Sequence, residues 1–143
     1  MQRDSTSYDL PISGTDLVSI VLYGAFQQRT ETREQGWSVQ FTEGMDYDLM
    51  ELLKREQNNI PLIREHYFFD VAGPYSKEVA AALTQLVMDG ALTRIMGQSG
   101  RVARQVIGRI ARDPLERGKI SQGDYDKLLD LGKELEIKKA VYI

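Results

Sequence analysis

Apolar positions along the chain recur at helical spacing in some stretches and alternate in others, and the two rhythms divide it into elements. Leu17, Ile20, Val21 and Gly24 share one helical face, so residues 14–28 read as a core helix. Thr15 stands where it could accept free amide hydrogens of the first turn, and Asp16 suits the positive helix end. Polar residues 27–36 then read as a loop or frayed end. In "WSVQF", residues 37–41, Trp37, Val39 and Phe41 alternate with Ser38 and Gln40, the mark of a short half-buried strand. Met45, Leu49, Leu52 and Leu53 return to helical spacing between Thr42 and Gln57. "NNIP" ends that helix, because Ile60 precedes a proline and is pushed out of helical geometry. Residues 62–69 fit either a short helix or an extended piece, with helix preferred before the turn at Gly73-Pro74.

The clearest unit follows. Ser76 is a good N-cap, Lys77 to Asp89 forms a helix, and Gly90 can adopt the left-handed conformation that stops it. Val79, Leu83, Leu86 and Val87 line one face of this helix. Lys77, Ala81, Thr84, Gln85 and Met88 line another, open to solvent or a partner. "ALTRIM" reads as a strand, "GQSG" as a flexible turn and "RVARQVI" as a returning strand. The last piece has a competitor: Val102, Val106 and Ile110 lie four apart with Arg101, Arg104 and Arg112 on a second face, so residues 101–112 also fit a basic helix interrupted by Gly108. Pro114 separates this segment from a helix capped by Ser121 that carries Tyr125, Leu128, Leu129, Leu131 and Leu135. "IKKAVYI" then reads as a short strand.

Helix, strand, Gly-containing turn and strand is the order of a winged helix-turn-helix after its second helix. The expectation is therefore a mainly α fold with a small antiparallel sheet (α+β). It would be one winged-helix-like domain over residues 14–143, behind a polar tail, residues 1–13, that is mobile or lightly docked. A length of 143 residues and a 27% charged composition fit one ordinary globular core. No apolar run reaches the length of a bilayer span, the first residues lack a signal-like apolar core, and there is no cysteine. The setting expected from these features is cytoplasmic, without a membrane.

Charge is unevenly distributed. Residues 1–90 hold 7 Lys/Arg against 14 Asp/Glu, whereas residues 91–120 hold 7 against 2. A basic segment next to a capped helix can meet a polyanion, although it can equally solvate one face of an element.

Catalytic chemistry has little to rest on, and no catalytic residue, metal site or cofactor is expected. The single histidine, His66, lies near Glu65 and Asp70 but lacks a second nitrogen or sulfur ligand, so it reads as a packing or surface residue. Asp46, Asp48 and Glu51 lack the Gly and terminal Glu of a calcium loop. "GQSGR" is too short for a phosphate-binding loop. Trp37, Tyr67, Phe68 and Phe69 could line a small-molecule pocket, but aromatics at such spacing usually form core.

Residues 67–92, "YFFDVAGPYSKEVAAALTQLVMDGAL", resemble the "GPYS" helix region of the Panacea (SocA-like antitoxin) proteins, and "IVLYGAF", residues 20–26, looks like their first core helix. The connection holding "GWSVQF" and the later basic segment have no counterpart there. The resemblance implies a small cofactor-free protein that acts by binding another macromolecule.

Two partners compete for that role. In the first, a transcription-regulating reading, the Ser76–Asp89 helix enters the major groove of duplex DNA. Tyr75, Ser76 and Lys77 lie near phosphate, Thr84 and Gln85 reach base edges, and Arg94, Arg101 and Arg104 hold the flanking backbone. Its weak point is a helix with one lysine against Glu78 and Asp89. In the second, an antitoxin-like or adaptor reading, Ala81, Met88 and their neighbours form an adaptable surface for a protein. Duplex DNA ranks ahead of a protein on this reading, and a homodimer is compatible with either.

Overall fold

The computed structural model describes residues 11–29, 38–41, 44–95, 99–135 and 137–141. Among these the chain forms α1 (Gly14–Arg29), β1 (Ser38–Phe41), α2 (Met45–Glu56), α3 (Pro61–His66), α4 (Lys77–Met88), β2 (Leu92–Ile95), β3 (Ser99–Ala103), α5 (Arg104–Glu116), α6 (Gln122–Gly132) and β4 (Ile137–Val141). The fold is mainly helical with a small antiparallel sheet, as the residue pattern predicts.

Helix α1 is the axis of the core. Leu17, Val18, Ile20, Val21, Leu22 and Ala25 are all fully buried, so the apolar stripe read from the spacing widens into an envelope covered on several sides. Its most extensive partners are α6 and α5, followed by α4. Against α6 the backbones come into direct contact. A Cβ at Gly24 would overlap the carbonyl oxygen of Leu129, and one at Gly132 would overlap that of Val21. Glycine is the one residue that fits at this crossing.

The start of α1 differs from expectation. Ser13, not Thr15, is the cap: the Asp16 N–H donates to Ser13 Oγ at 3.1 Å and the Ser13 N–H donates to Asp16 Oδ2 at 3.3 Å, a reciprocal capping box. The helix begins at Gly14, so its acceptor must stand one residue earlier. Ile12, assigned to the tail, is 4% exposed and belongs to the core. Residues 1–10 of the predicted tail lie outside the described residues.

The four strands lie in the order β2-β3-β1-β4 and all pairs are antiparallel. Strand β1 joins the β2–β3 hairpin to β4 through Val39, which pairs with Val102 on one side and Ala140 on the other. Trp37, expected to begin this strand, lies outside the described residues.

The segment after β2 combines both readings of residues 101–112. Strand β3 starts inside the predicted turn, at Ser99, and ends at Ala103; α5 takes over at Arg104. The change occurs where Val102 finishes its ladder and Ile107 and Ala111 come into the core at helical spacing. Gly108 does not interrupt α5, and Pro114 does not end it. Pro114 is buried within the last turn, and the helix stops at a Schellman motif. There Lys119 N–H bonds the Pro114 carbonyl, Gly118 N–H bonds that of Leu115, and Gly118 has φ 71°. Helix α4 ends in the same way, with Ala91 bonded to Leu86, Gly90 to Val87, and Gly90 at φ 83°.

Candidate functional site

Residues 67–76 connect α3 to α4 and form an irregular but heavily braced segment. Tyr67 leaves α3 in extended geometry, is 2% exposed, and donates its hydroxyl hydrogen to the Gly14 carbonyl. Burial first, and then the Asp16 carboxylate, push its phenol far above the ordinary range, so it stays a neutral donor. Beside it the two ring nitrogens of His66 lie 2.8 Å from the carbonyl oxygens of Leu62 and Ile12. His66 thus ties α3 to the start of α1, in keeping with a packing role.

Three further contacts close the loop. The Asp70 N–H bonds the Tyr75 carbonyl at 2.9 Å. The Lys54 ammonium, reaching over from α2, donates to the carbonyls of Asp70 at 2.7 Å and Gly73 at 2.8 Å, and approaches that of Val71 at 3.4 Å. Glu78 Oε1 accepts from the Phe68 N–H at 3.1 Å and from the Ser76 hydroxyl at 3.2 Å. These donors, with the Phe68 N–H foremost, hold the Glu78 carboxyl below the usual glutamate range. An ammonium against three carbonyls and a carboxylate against a loop amide anchor both ends of the turn through charge-assisted hydrogen bonds.

The braced loop presents apolar side chains to solvent. Phe68 is 81% exposed, Val71 99% and Tyr75 51%. Phe68 and Tyr75 border a cleft with Phe69, Asp70, Lys77 and Glu78. A neighbouring groove shares Glu78 and runs along α4 past Ala81 and Gln85 to Thr15 of α1. Met88, 74% exposed, and Val87, 37% exposed, continue the apolar character towards the end of α4. Val87 therefore faces outward, and Ala82 takes the buried place expected for it. The aromatic cluster is divided: Tyr67 packs edge-on against half-buried Phe69 with ring centroids 6.3 Å apart, while Phe68 points away from the core.

The residues expected to contact DNA are scattered in state. Ser76 is 1% exposed, its hydroxyl engaged by the Val79 N–H and Glu78, so it acts as helix cap. Lys77 and Tyr75 are exposed. Thr84 donates to the Ala80 carbonyl at 3.1 Å, and Gln85 donates to Asp89 at 2.9 Å. Arg94 forms a two-pronged pair with Asp46, at 2.8 and 2.9 Å, which balances its charge within the protein. Arg101 belongs to β3 and Arg104 opens α5; their side chains lie outside the described residues. The structure brings Tyr75, Ser76 and Lys77 together and leaves Arg94 and the backbone of Arg104 on other elements.

Sequence reasoning missed Lys54 and Val71, and it favoured a core place for Phe68, which is 81% exposed. Lys54 carries no local signal, because its three acceptors lie 16–19 residues away. Val71 was legible as an apolar residue with no place in any helical or alternating stripe. Among the described residues, no group of three or more His, Cys, Asp or Glu side chains is arranged to hold a metal ion. No helix is long and apolar enough to cross a membrane.

Comparison with protein families, with characterised proteins and with solved structures returns no match to this chain. The functional reading accordingly rests on the geometry of the α3–α4 loop and α4.

Proposed function

We propose that the protein is a non-enzymatic binding module of winged-helix type that docks another protein on residues 68–76 and the solvent face of α4. The observation that carries this reading is the braced loop. Three apolar side chains, at Phe68, Val71 and Tyr75, stand in water on a backbone secured by Lys54 and Glu78. A loose loop could fold them back onto the protein; a braced one keeps them available. Pre-organisation of this kind lowers the ordering cost of association, and exposed apolar patches commonly mark protein contacts.

The winged-helix part draws support from connectivity. Helix α4 is followed by the β2–β3 hairpin, and β1, which precedes α2, pairs with β3. The resemblance of Gly73-Pro74-Tyr75-Ser76 to Panacea proteins points the same way, and the Gly73 carbonyl of this quartet is one that Lys54 holds.

Charge favours a protein over DNA. Lys77 shares its cleft with Asp70 and Glu78, and Asp89 stands at the end of α4. Approaching phosphates would meet these carboxylates, while Arg94 is already paired. A partner segment with apolar side chains and flanking basic groups fits the same surface.

Site-specific photo-crosslinking at Val71 in cells tests the proposal, with a probe at Lys133 on the far end of α6 as control. One discrete protein adduct is expected at Val71, lost in a Phe68→Asp variant whose thermal melting is unchanged. Absence of any adduct beyond the control would overturn the reading. Duplex DNA binding that falls steeply with salt and that Phe68→Asp abolishes would transfer the role of this surface to DNA.

A further inference from the structure

Helix α5 carries a second surface that shares no residue with the α4 face. Gln105, Arg109 and Arg112 lie four and three residues apart, which stacks them on one side of the helix. With Tyr23 of α1 they line a cleft of about 380 Å³, at the lower end of the roughly 300–1,000 Å³ range of ligand sites. The lining is polar and cationic, whereas the groove beside α4 mixes Ala81 and Ala82 with Glu78 and Gln85.

Arg112 is held in place. Its Nη1 donates to the Tyr23 hydroxyl at 3.0 Å, and its guanidinium carbon lies 5.8 Å from the centre of the Tyr23 ring. Gly108, one turn earlier, makes room for this arrangement. A Cβ there would stand 3.0 Å from Arg112 Nη1 and 3.3 Å from a ring carbon of Tyr23. Glycine inside a helix costs about 1 kcal/mol relative to alanine, and here the space it leaves is filled by the arginine head.

The charges around this cleft are mixed, since the Asp126 and Glu116 carboxylates act on neighbouring Tyr125 together with Arg112. Among the described residues, neither Arg109 nor Arg112 forms an ion pair; Asp113, the residue after Arg112, pairs with Arg117 at 2.9 Å. Like charges one turn apart repel, so the folded protein supports two neighbouring guanidinium groups that an oxyanion would relieve. One arm of Arg112 is engaged by Tyr23. Its remaining N–H groups, those of Arg109 and the Gln105 amide supply donors whose planar, forked geometry matches phosphate oxygens.

We propose that Tyr23, Gln105, Arg109 and Arg112 form a binding site for a phosphate group, carried either by a small molecule or by a nucleic-acid backbone. Tyr23 positions Arg112, and the arginines supply the charge. The neutral-to-acidic α4 surface has no comparable pair, so the two sites can be occupied independently.

The test is calorimetric titration of the purified protein with inorganic phosphate and pyrophosphate at constant ionic strength, chloride replacing the anion in the control. Saturable binding is expected for the wild-type chain. Arg109→Gln combined with Arg112→Gln should weaken it by at least about tenfold, with thermal melting in chloride unchanged. Gly108→Ala provides a second variant that keeps both charges but displaces the Arg112 head, and it should weaken binding severalfold. Lys127→Gln, a cation of α6 outside the cleft, should leave affinity as it is. Competition by duplex DNA assigns the phosphate to a nucleic-acid backbone, and competition by a nucleoside monophosphate alone assigns it to a small molecule. No saturable phosphate binding, equal binding by the double-arginine variant, or an equal loss with Lys127→Gln would overturn the site.

Discussion

Helices α4 and α5 dock on the same central helix and end in the same glycine-terminated motif, yet they offer water opposite chemistries. Val79, Ala82, Leu83 and Leu86 bury one face of α4, while Ile107 and Ala111 bury one face of α5. Outward, α4 shows Ala81, Thr84, Gln85 and Met88, whereas α5 shows Gln105, Arg109 and Arg112. Folding demands the buried stripe and the stop signal, and it is nearly indifferent to the outer face. The outer faces are therefore where a partner's requirements can be read, and here they separate an apolar surface rimmed by carboxylates from a cationic one.

The largest expected effect tests the shared half of that comparison. Leu83→Ala and Ile107→Ala each remove a fully buried side chain, and each should cost about 2–5 kcal/mol in denaturant unfolding. A small cost at Ile107 alone would mean that α5 is docked more loosely than α4. The third helix on α1 supplies the next contrast. Gly132→Ala would drive a methyl group into the Val21 carbonyl, forcing α6 away from α1 at a cost of about 1–3 kcal/mol or more. A neutral result in thermal melting would contradict the backbone-to-backbone crossing.

Capping separates the two helices at their starts. Ser76 accepts the Val79 N–H, so Ser76→Ala should lower stability by about 0.5–2 kcal/mol. Helix α5 begins at Ala103 with extended dihedrals and no side-chain cap. Ala103→Ser should therefore shift the melting temperature in the opposite direction, and by less, since Ala103 is half-buried between strand and helix. The smallest effect depends on pH. Because Glu78 titrates below the usual glutamate range when folded, its contribution is present above the unfolded value and disappears as pH falls through the folded one. Glu78→Gln should flatten that acid limb of a melting-temperature profile taken from neutrality to about pH 3. An unchanged slope would show that the Phe68 N–H and Ser76 hydroxyl do not favour its ionised form.

Local chemistry was sufficient for much of this protein. Ser76, Gly90 and the Val79–Leu83–Leu86 stripe specify α4 within a dozen residues, because a cap, a period and a left-handed stop all act over one or two turns. The same reasoning places α2, α6 with its Ser121 cap, and the short strands β1, β2 and β4. It failed where distant parts of the chain competed for a segment. Residues 99–116 carry strand and helix signals end to end, and the boundary at Ala103 is decided by β1 pairing with Val102 and by α1 receiving Ile107. Pro114, a break on any local rule, is retained inside α5 with its ring buried. The functional surfaces lie further from local control. Lys54 becomes the brace of the loop because folding brings the carbonyls of Asp70 and Gly73 to its ammonium, and Arg94 loses its free charge because Asp46 is delivered beside it. The sequence by itself determined the cores of α1, α2, α4 and α6, most of the residues that seek burial and where positive charge accumulates, since these are sums over near neighbours. Which charges are balanced, which apolar side chains stay in water, and that Tyr23 meets Arg112 over a glycine were decided by the tertiary structure alone, because each depends on groups that only folding brings within a few ångströms.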